Sequence, residues 1–581
     1  MIKIIFYVSL VFALTILSNA NAGSIDSLEQ ILTDHWAAAN QEQVFFRKDP
    51  DTFRMNGKLP DISAAGRERR QKFNAFILKR LDTLDSSTLN SAQDVTFRLF
   101  KYERQTEAAS YHQLGHFYPM DYYSSFFSYF AGAPANMSFL EKKDYENYLV
   151  SLADYPRYNN QFIEILQQAI KQGHTHYCTS FEGYDKTISK HLVDKVEQSV
   201  FYAPFAAMPK MFSKADSEHF LVEGRKLIMQ TVIPAYKKFY RFFTQQYMTH
   251  CRMKVGINQL KGGADYYQYL IKYYTTTNYS SDQIHQLGLS EVKRIRVEMD
   301  NLIQKIGFKS ESENTFKEFV KFLRNAPQFY TDSGRDMIEK ASYITRKMAA
   351  QLPKWFSVLP RATFDIKSSP GGGAYYVASD GSGTTSGTYF LDTRDLQSQP
   401  LYNLEALTFH EAEPGHHFQG SIAMEIDMPE FRKTLYHSAY GEGWGLYSES
   451  LGKEMGFYQD PYSDFGRLTY EMWRACRLVV DTGMHAKGWS RKKAINYLAS
   501  NTALSLTDVE GDIDRYITWP AQALSYKIGE LKIRELREIA ERELGNDFKI
   551  RDFHDQILSN GSLPLALLEE LTLEWIEAQK I

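Results

Sequence analysis

The stretch TFHEAEPGHHFQ, residues 408–419, opens with His410 and Glu411 in the manner of the zinc-binding pattern H-E-x-x-H and then departs from it. Pro414 stands where the second histidine belongs, and histidines follow at 416 and 417. In a regular helix, imidazoles at i and i+4 share a face because a turn takes about 3.6 residues. His416, six residues on, is rotated by about 240° from His410, and His417 points the right way but lies too far along the axis. Pro414 cannot donate to the carbonyl of His410 and crowds it, while Gly415 tolerates backbone angles closed to other residues. A bulge at this pair, absorbing two residues, brings a later histidine back toward His410. The spacing reads as altered rather than broken, and the choice between His416 and His417 stays open.

A two-histidine zinc site needs a third ligand, typically a glutamate from another helix, with one position left for water. The segment GEGWGLYSES, residues 441–450, offers Glu442 and Glu449, seven apart and so on one helical face. Gly441, Gly443 and Gly445 let that helix approach a neighbour closely. Their helix cost of about 1 kcal/mol each against alanine calls for some such compensation. Around this segment the pattern predicts four helices: one from an N-cap at Asn403 through Glu411, one ending at Gly456, one over residues 470–488, and one from residue 521 stopping at Gly545.

The rest of the chain is patterned for helix almost throughout, with Pro and Gly between the periodic runs. Residues 361–396 break the habit: AYYVAS and GTYFLDT suit strands of a small sheet, joined by a Gly/Ser-rich turn. The expected fold is mostly α and two-lobed, with a small β element (about residues 361–395) at the cleft. An N-terminal helical lobe over residues 23–280 is followed by a metal-bearing lobe over 281–581.

Residues 1–22 read as a cleavable export signal: Lys3, an apolar run from Ile4 to Leu17 too short for a bilayer, and the triplet Ala20-Asn21-Ala22. No cysteine follows that run, so no lipid anchor is expected, and the mature chain is expected to start near Gly23 in the periplasm or outside the cell. With 67 basic against 70 acidic residues, the chain offers no field for nucleic acid. Cys178, Cys251 and Cys476 are too few for a disulfide framework, although a bridge between the first two is open in an oxidising compartment. The sequence contains no G-x-S-x-G elbow and no nucleotide loop. HTHYC, residues 174–178, lacks a carboxylate base and reads as structural, as does His285 on an amphipathic helix.

HEAEPGHHFQ, EGWGLYSE and the C-terminal ALSYKIGELKIRELREIAERELG resemble the bacterial family catalogued as domain of unknown function 885, from mid-chain to the end. That family resembles the helical zinc peptidases that include thimet oligopeptidase, the Taq-type carboxypeptidases and angiotensin-converting enzyme. Through this resemblance Gly415-His416 matches the closing Gly-His of the motif. Glu442, 26 residues beyond His416, matches the ligand glutamate, and Glu449 a second acid that orients an imidazole. The implied centre is zinc on His410, His416 and Glu442, with Glu411 as general base. Tyr526 is the first choice for an oxyanion donor, His485 ranks below it beside Asp481, and Tyr389, Arg515 and Tyr516 are expected substrate contacts. GTYFLDT is expected to pair with an extended peptide. The implied activity is cleavage of short unstructured peptides by a monomeric or weakly associating enzyme. A zinc hydrolase of other amides or esters, and a metal-free binding protein on the same scaffold, are the alternatives.

Overall fold

Helices begin where the sequence supplies side-chain acceptors for their free N–H groups. Ser280 and Gln283 form a reciprocal capping box at the head of α1 (Ser281–Ile306), and Gly307, at φ +75°, closes it. The computed structural model describes residues 27–42, 57–137, 139–311, 313–379 and 386–580. The predicted export signal and the mature N-terminus lie outside the described residues, as does most of the Gly/Ser-rich turn.

Two main apolar interiors form. One gathers aromatic side chains from Leu59 to Tyr247, among them Tyr145, Tyr155, Tyr236 and Phe239. The other runs from Val255 to Ile576, with Leu99 added from the first part of the chain. A disulfide joins Cys178 to Cys251 near the crossing between them, with the Cα atoms 5.1 Å apart.

The second interior is built around five further helices: α2 (Leu404–Glu411), α3 (His416–Glu425), α4 (Ser438–Glu454), α5 (Pro461–His485) and α6 (Ser525–Leu544). Asn403 does not cap α2 with its side chain; a 3-10 turn over Leu401–Asn403 runs straight into the helix instead. α4 and α6 touch backbone to backbone. A Cβ on Gly443 would lie 2.5 Å from Gly529 Cα, and one on Gly529 would lie 1.7 Å from the Ala439 carbonyl oxygen. Lys527 of α6 is wholly buried and pairs with Glu291 of α1, Glu471 of α5 and Glu530 at 3.0, 3.0 and 2.8 Å.

The small sheet holds β1 (Phe364–Ser368), β2 (Tyr375–Val377) and β3 (Gly387–Leu391), in the order β1-β3-β2. β3 is parallel to β1, with Phe364 opposite Gly387, and antiparallel to β2, with Tyr376 opposite Tyr389. This corrects the expectation for GTYFLDT: β3 is central, paired with β1 over Gly387–Leu391 and with β2 over Thr388–Phe390. The edges left are those of β1 and β2.

Candidate metal centre

α2 stops at Glu411, and the chain turns through Ala412–Gly415 before α3 begins at His416. The peptide bond between Glu413 and Pro414 is cis. The predicted bulge is therefore a full stop and restart. Gly415 makes it possible by close approach, since a Cβ there would lie 1.9 Å from the carbonyl oxygen of His410. The indole of Trp444 on α4 donates to the Pro414 carbonyl at 2.7 Å and fixes the turn.

The restart brings His416 against His410, with ring centroids 4.7 Å apart and planes at 85°. Glu442 Oε2 lies 3.4 Å from His410 Nε2 and 3.4 Å from His416 Nε2. One donor atom from each of the three residues falls within 4.8 Å of the others. Zinc–ligand bonds of about 2.0–2.1 Å in a tetrahedral set separate the donors by about 3.3 Å, so the spacing suits such an ion. His417 faces the other way, its Nδ1 2.9 Å from the Tyr376 hydroxyl of β2, and burial holds its imidazole down at about 4.

The supports of the triad are consistent with a cation. His410 Nδ1 is 2.8 Å from Glu449 Oε1, which leaves Nε2 directed at Glu442. Arg474 of α5 reaches the same Glu449 oxygen at 3.3 Å. Burial depresses the His410 imidazole, and the carboxylates of Glu442 and Glu449 more than reverse it, to about 10. Glu442 is pushed up by burial but held well below the usual carboxylate range by the two imidazoles. Glu411 is buried, with no hydrogen-bond partner on Oε2 among the described residues, and burial raises its pKa. Gly445 provides the space: a Cβ there would meet the His410 ring at 2.6–2.8 Å.

Tyr526 joins this group, its ring stacked 6.0 Å from that of His410. Arg477 lies 4.4 Å from the Tyr526 ring, and Arg515 Nη2 donates to its hydroxyl at 3.4 Å. Three other candidates are fully buried. His485 sits eleven residues past Arg474 on α5, about 16 Å along the axis. Its Nδ1 accepts from the Ile257 N–H at 3.2 Å and its Nε2 meets the Tyr516 carbonyl at 2.9 Å, so it bridges backbone rather than reacting groups. Tyr516 is fully buried, its hydroxyl accepting from Trp473 Nε1 at 2.9 Å and Arg477 Nε at 2.6 Å, and it serves to position Arg477. Tyr389 is fully buried, with its hydroxyl end close to Thr408 and Glu411. His176 and His285 are structural as expected: His176 bonds the Met120 carbonyl at 2.8 Å, and His285 Nδ1 lies 2.8 Å from Thr482 Oγ1.

Sequence reasoning missed Tyr436 and Arg474. Tyr436, 56% exposed, lies over Gly441 and donates to Glu442 Oε1 at 3.0 Å. Only the tertiary turn before α4 reveals it. Arg474 and Arg477 carried a legible signal, being charges on the apolar face of a buried helix.

A cavity of about 640 Å³ lies off the centre, with none of the triad residues, Glu411 or Tyr526 in its wall. Its wall residue Trp519 donates to the Tyr274 hydroxyl at 2.6 Å and lies under Arg515, the neighbour of Tyr526. Another wall residue, Glu103, accepts from His437 at 2.9 Å, next to Tyr436.

The family model described as "Bacterial protein of unknown function (DUF885)" matches residues 46–571. The chain belongs to this family. Its structure is similar to that of a "putative lipoprotein" from Colwellia psychrerythraea, with a TM-score of 0.86 at 26% identity over 96% of this chain and 100% of that one. A "putative lipoprotein of unknown function" from Shewanella oneidensis superposes with a TM-score of 0.71 at 17% identity, covering 94% and 100%. A "putative oligoendopeptidase F" from Bacillus anthracis str. Ames gives only 0.31 at 11% identity, covering 97% and 99%, too low to carry an argument. No curated protein matches the chain. No described helix of this DUF885 member is long and apolar enough to cross a membrane.

Proposed function

We propose that this DUF885 protein is a zinc-dependent hydrolase acting on short unstructured peptides. The observation that carries the reading is the convergence of His410, His416 and Glu442 within 4.8 Å, beside the buried and unpartnered carboxyl of Glu411. Zinc held there would lower the pKa of a water toward neutrality and polarise a carbonyl. Glu411, whose pKa burial raises, is suited to take a proton from water and return it to the leaving amine. Glu449 and Arg474 orient His410, Tyr436 donates to the second oxygen of Glu442, and Tyr526 offers a hydroxyl donor to an oxyanion. The free edge of β2, whose Tyr376 contacts His417 of α3, offers an extended peptide a strand to pair with. The Cys178–Cys251 disulfide supports an extracytoplasmic location.

Elemental analysis of purified wild type, Glu442→Ala and Glu411→Gln tests the assignment. Wild type and Glu411→Gln are expected to hold one zinc per chain and Glu442→Ala to lose it. Peptide turnover is expected to fall about 10²–10⁴-fold in Glu411→Gln. Release of zinc by Glu411→Gln would overturn the roles. Efficient casein digestion would overturn the restriction to short peptides, and zinc without peptide turnover would favour other amides or esters.

A further inference from the structure

Glu442 meets the two imidazoles with one oxygen. Its Oε2 lies 3.4 Å from His410 Nε2 and 3.4 Å from His416 Nε2, while Oε1 accepts from the Tyr436 hydroxyl at 3.0 Å. The two oxygens of this carboxylate therefore have separate tasks. A hydrogen bond from a phenol to an ionised carboxylate is charge-assisted, so Oε1 is firmly engaged on the side away from the histidines.

The chain around Tyr436 sets it in place, although the residue itself is 56% exposed. His437, next along, is buried: its N–H donates to Ser562 Oγ at 2.7 Å, and its Nε2 meets Glu103 Oε1 at 2.9 Å. The His437 carbonyl accepts from the Gly441 N–H at 3.0 Å as α4 begins. Across that first turn Gly441 admits the phenol, since a Cβ there would lie 2.3, 2.5 and 2.6 Å from the Tyr436 Cε2, Cζ and hydroxyl oxygen. A tyrosine on an unconstrained surface segment would bond water. This one is laid over a glycine onto a candidate ligand.

We propose that Tyr436 is a positioning residue that keeps Glu442 a one-oxygen ligand, so that an ion on His410, His416 and Glu442 has three protein donors and an open position. The inference rests on the zinc-centre reading and adds to it how the carboxylate ligates. Carboxylates bind cations through one oxygen or through both, and a carboxylate free at each oxygen can close on the ion with the pair. A catalytic zinc site keeps three protein ligands and leaves the fourth position to water or substrate. Hydrogen bonds to a ligating carboxylate fix which of its oxygens faces the metal.

The test uses the full chain loaded with cobalt(II), whose visible absorption weakens and moves to shorter wavelength as its coordination number rises above four. Tyr436→Phe keeps the ring and removes the hydroxyl, whereas Gly441→Ala keeps the hydroxyl and displaces the ring. In both, the absorption per bound cobalt is expected to fall and shift to shorter wavelength. Zinc affinity of Tyr436→Phe, by competition with a chelator, is expected to fall about tenfold, with its thermal unfolding unchanged. A purely structural role for the hydroxyl would move the unfolding temperature and leave the spectrum of bound cobalt as it was. A Tyr436→Phe spectrum identical to that of wild type overturns the role of Tyr436 and leaves the centre standing. Wild type that takes up neither zinc nor cobalt overturns the centre and the inference together. The expected spectral change, with no peptide turnover by wild type, leaves the inference standing and the peptidase reading fallen.

Discussion

At the scale of single residues, the centre depends on absences of side chain as much as on ligands. Gly445 leaves room for the His410 ring, and an added methyl at 2.6–2.8 Å from it has no slack. Gly445→Ala is expected to displace His410, lower stability by about 1–3 kcal/mol and weaken zinc binding, read by thermal unfolding and metal competition. Glu449→Gln retains the shape but not the charge behind His410 Nδ1, and is expected to lower zinc affinity about 10–100-fold with little change in fold. His417→Ala should leave zinc affinity unchanged, because that imidazole bonds Tyr376 and faces away from the triad. Loss of metal in that variant would reverse the choice of His416.

At the scale of elements, ligand positions are inherited from helix contacts. α4 carries Glu442 and Glu449, and its distance from α6 is set by Gly443 against Gly529. Gly529→Ala forces a Cβ to within 1.7 Å of the Ala439 carbonyl. It is expected to cost about 3 kcal/mol or more, and to lose metal although it touches no ligand. Lys527→Met removes the cation that α1, α5 and α6 share and leaves buried Glu471 to Arg294 and Arg467 and buried Glu530 to Arg534, at about 3 kcal/mol in a denaturant titration. Much of this layer was legible in sequence. Helical period, the glycines at 441, 443 and 445, and the candidate histidines and glutamates are all local or spaced signals, while the choice of His416 and Glu442 among them comes only from the family resemblance. The rest was not. Whether Pro414-Gly415 makes a bulge or a break is decided by Trp444 and by the fit of Gly415 on His410, which are tertiary contacts. Strand order is non-local, so GTYFLDT could be seen as a strand but not as the central one. The i, i+4 spacing of Asp481 and His485 names a helix face without saying what that face meets.

At the scale of the whole molecule, stability is tied to three neutral imidazoles. His176, His485 and His554 are each buried and bonded to a backbone carbonyl, and burial holds each near 3, below the ordinary 6.5. As pH falls, the unfolded chain takes up these protons first. The stability they protect is therefore full above about pH 6.5 and is lost toward pH 3, at up to about 1.4 kcal/mol per pH unit for each imidazole. Unfolding free energies measured from pH 7.5 to 4.5 should decline on that slope, and a flat profile between 6.5 and 4.5 would contradict it. The Cys178–Cys251 bridge closes a separation of 73 residues. Reduction is expected to cost about 4 kcal/mol by loop entropy, read as a lower denaturant midpoint in dithiothreitol.

The interrupted helix also bears on how such centres are found in genomes. A search for the contiguous string H-E-x-x-H presumes that both imidazoles ride one unbroken helix, and it passes over this chain. Defined in space, as two imidazoles and a carboxylate whose donors lie within 4.8 Å, the centre is plain. Two inserted residues at a Pro-Gly stop are enough to hide such a cluster from one description while leaving its three donors together in the other.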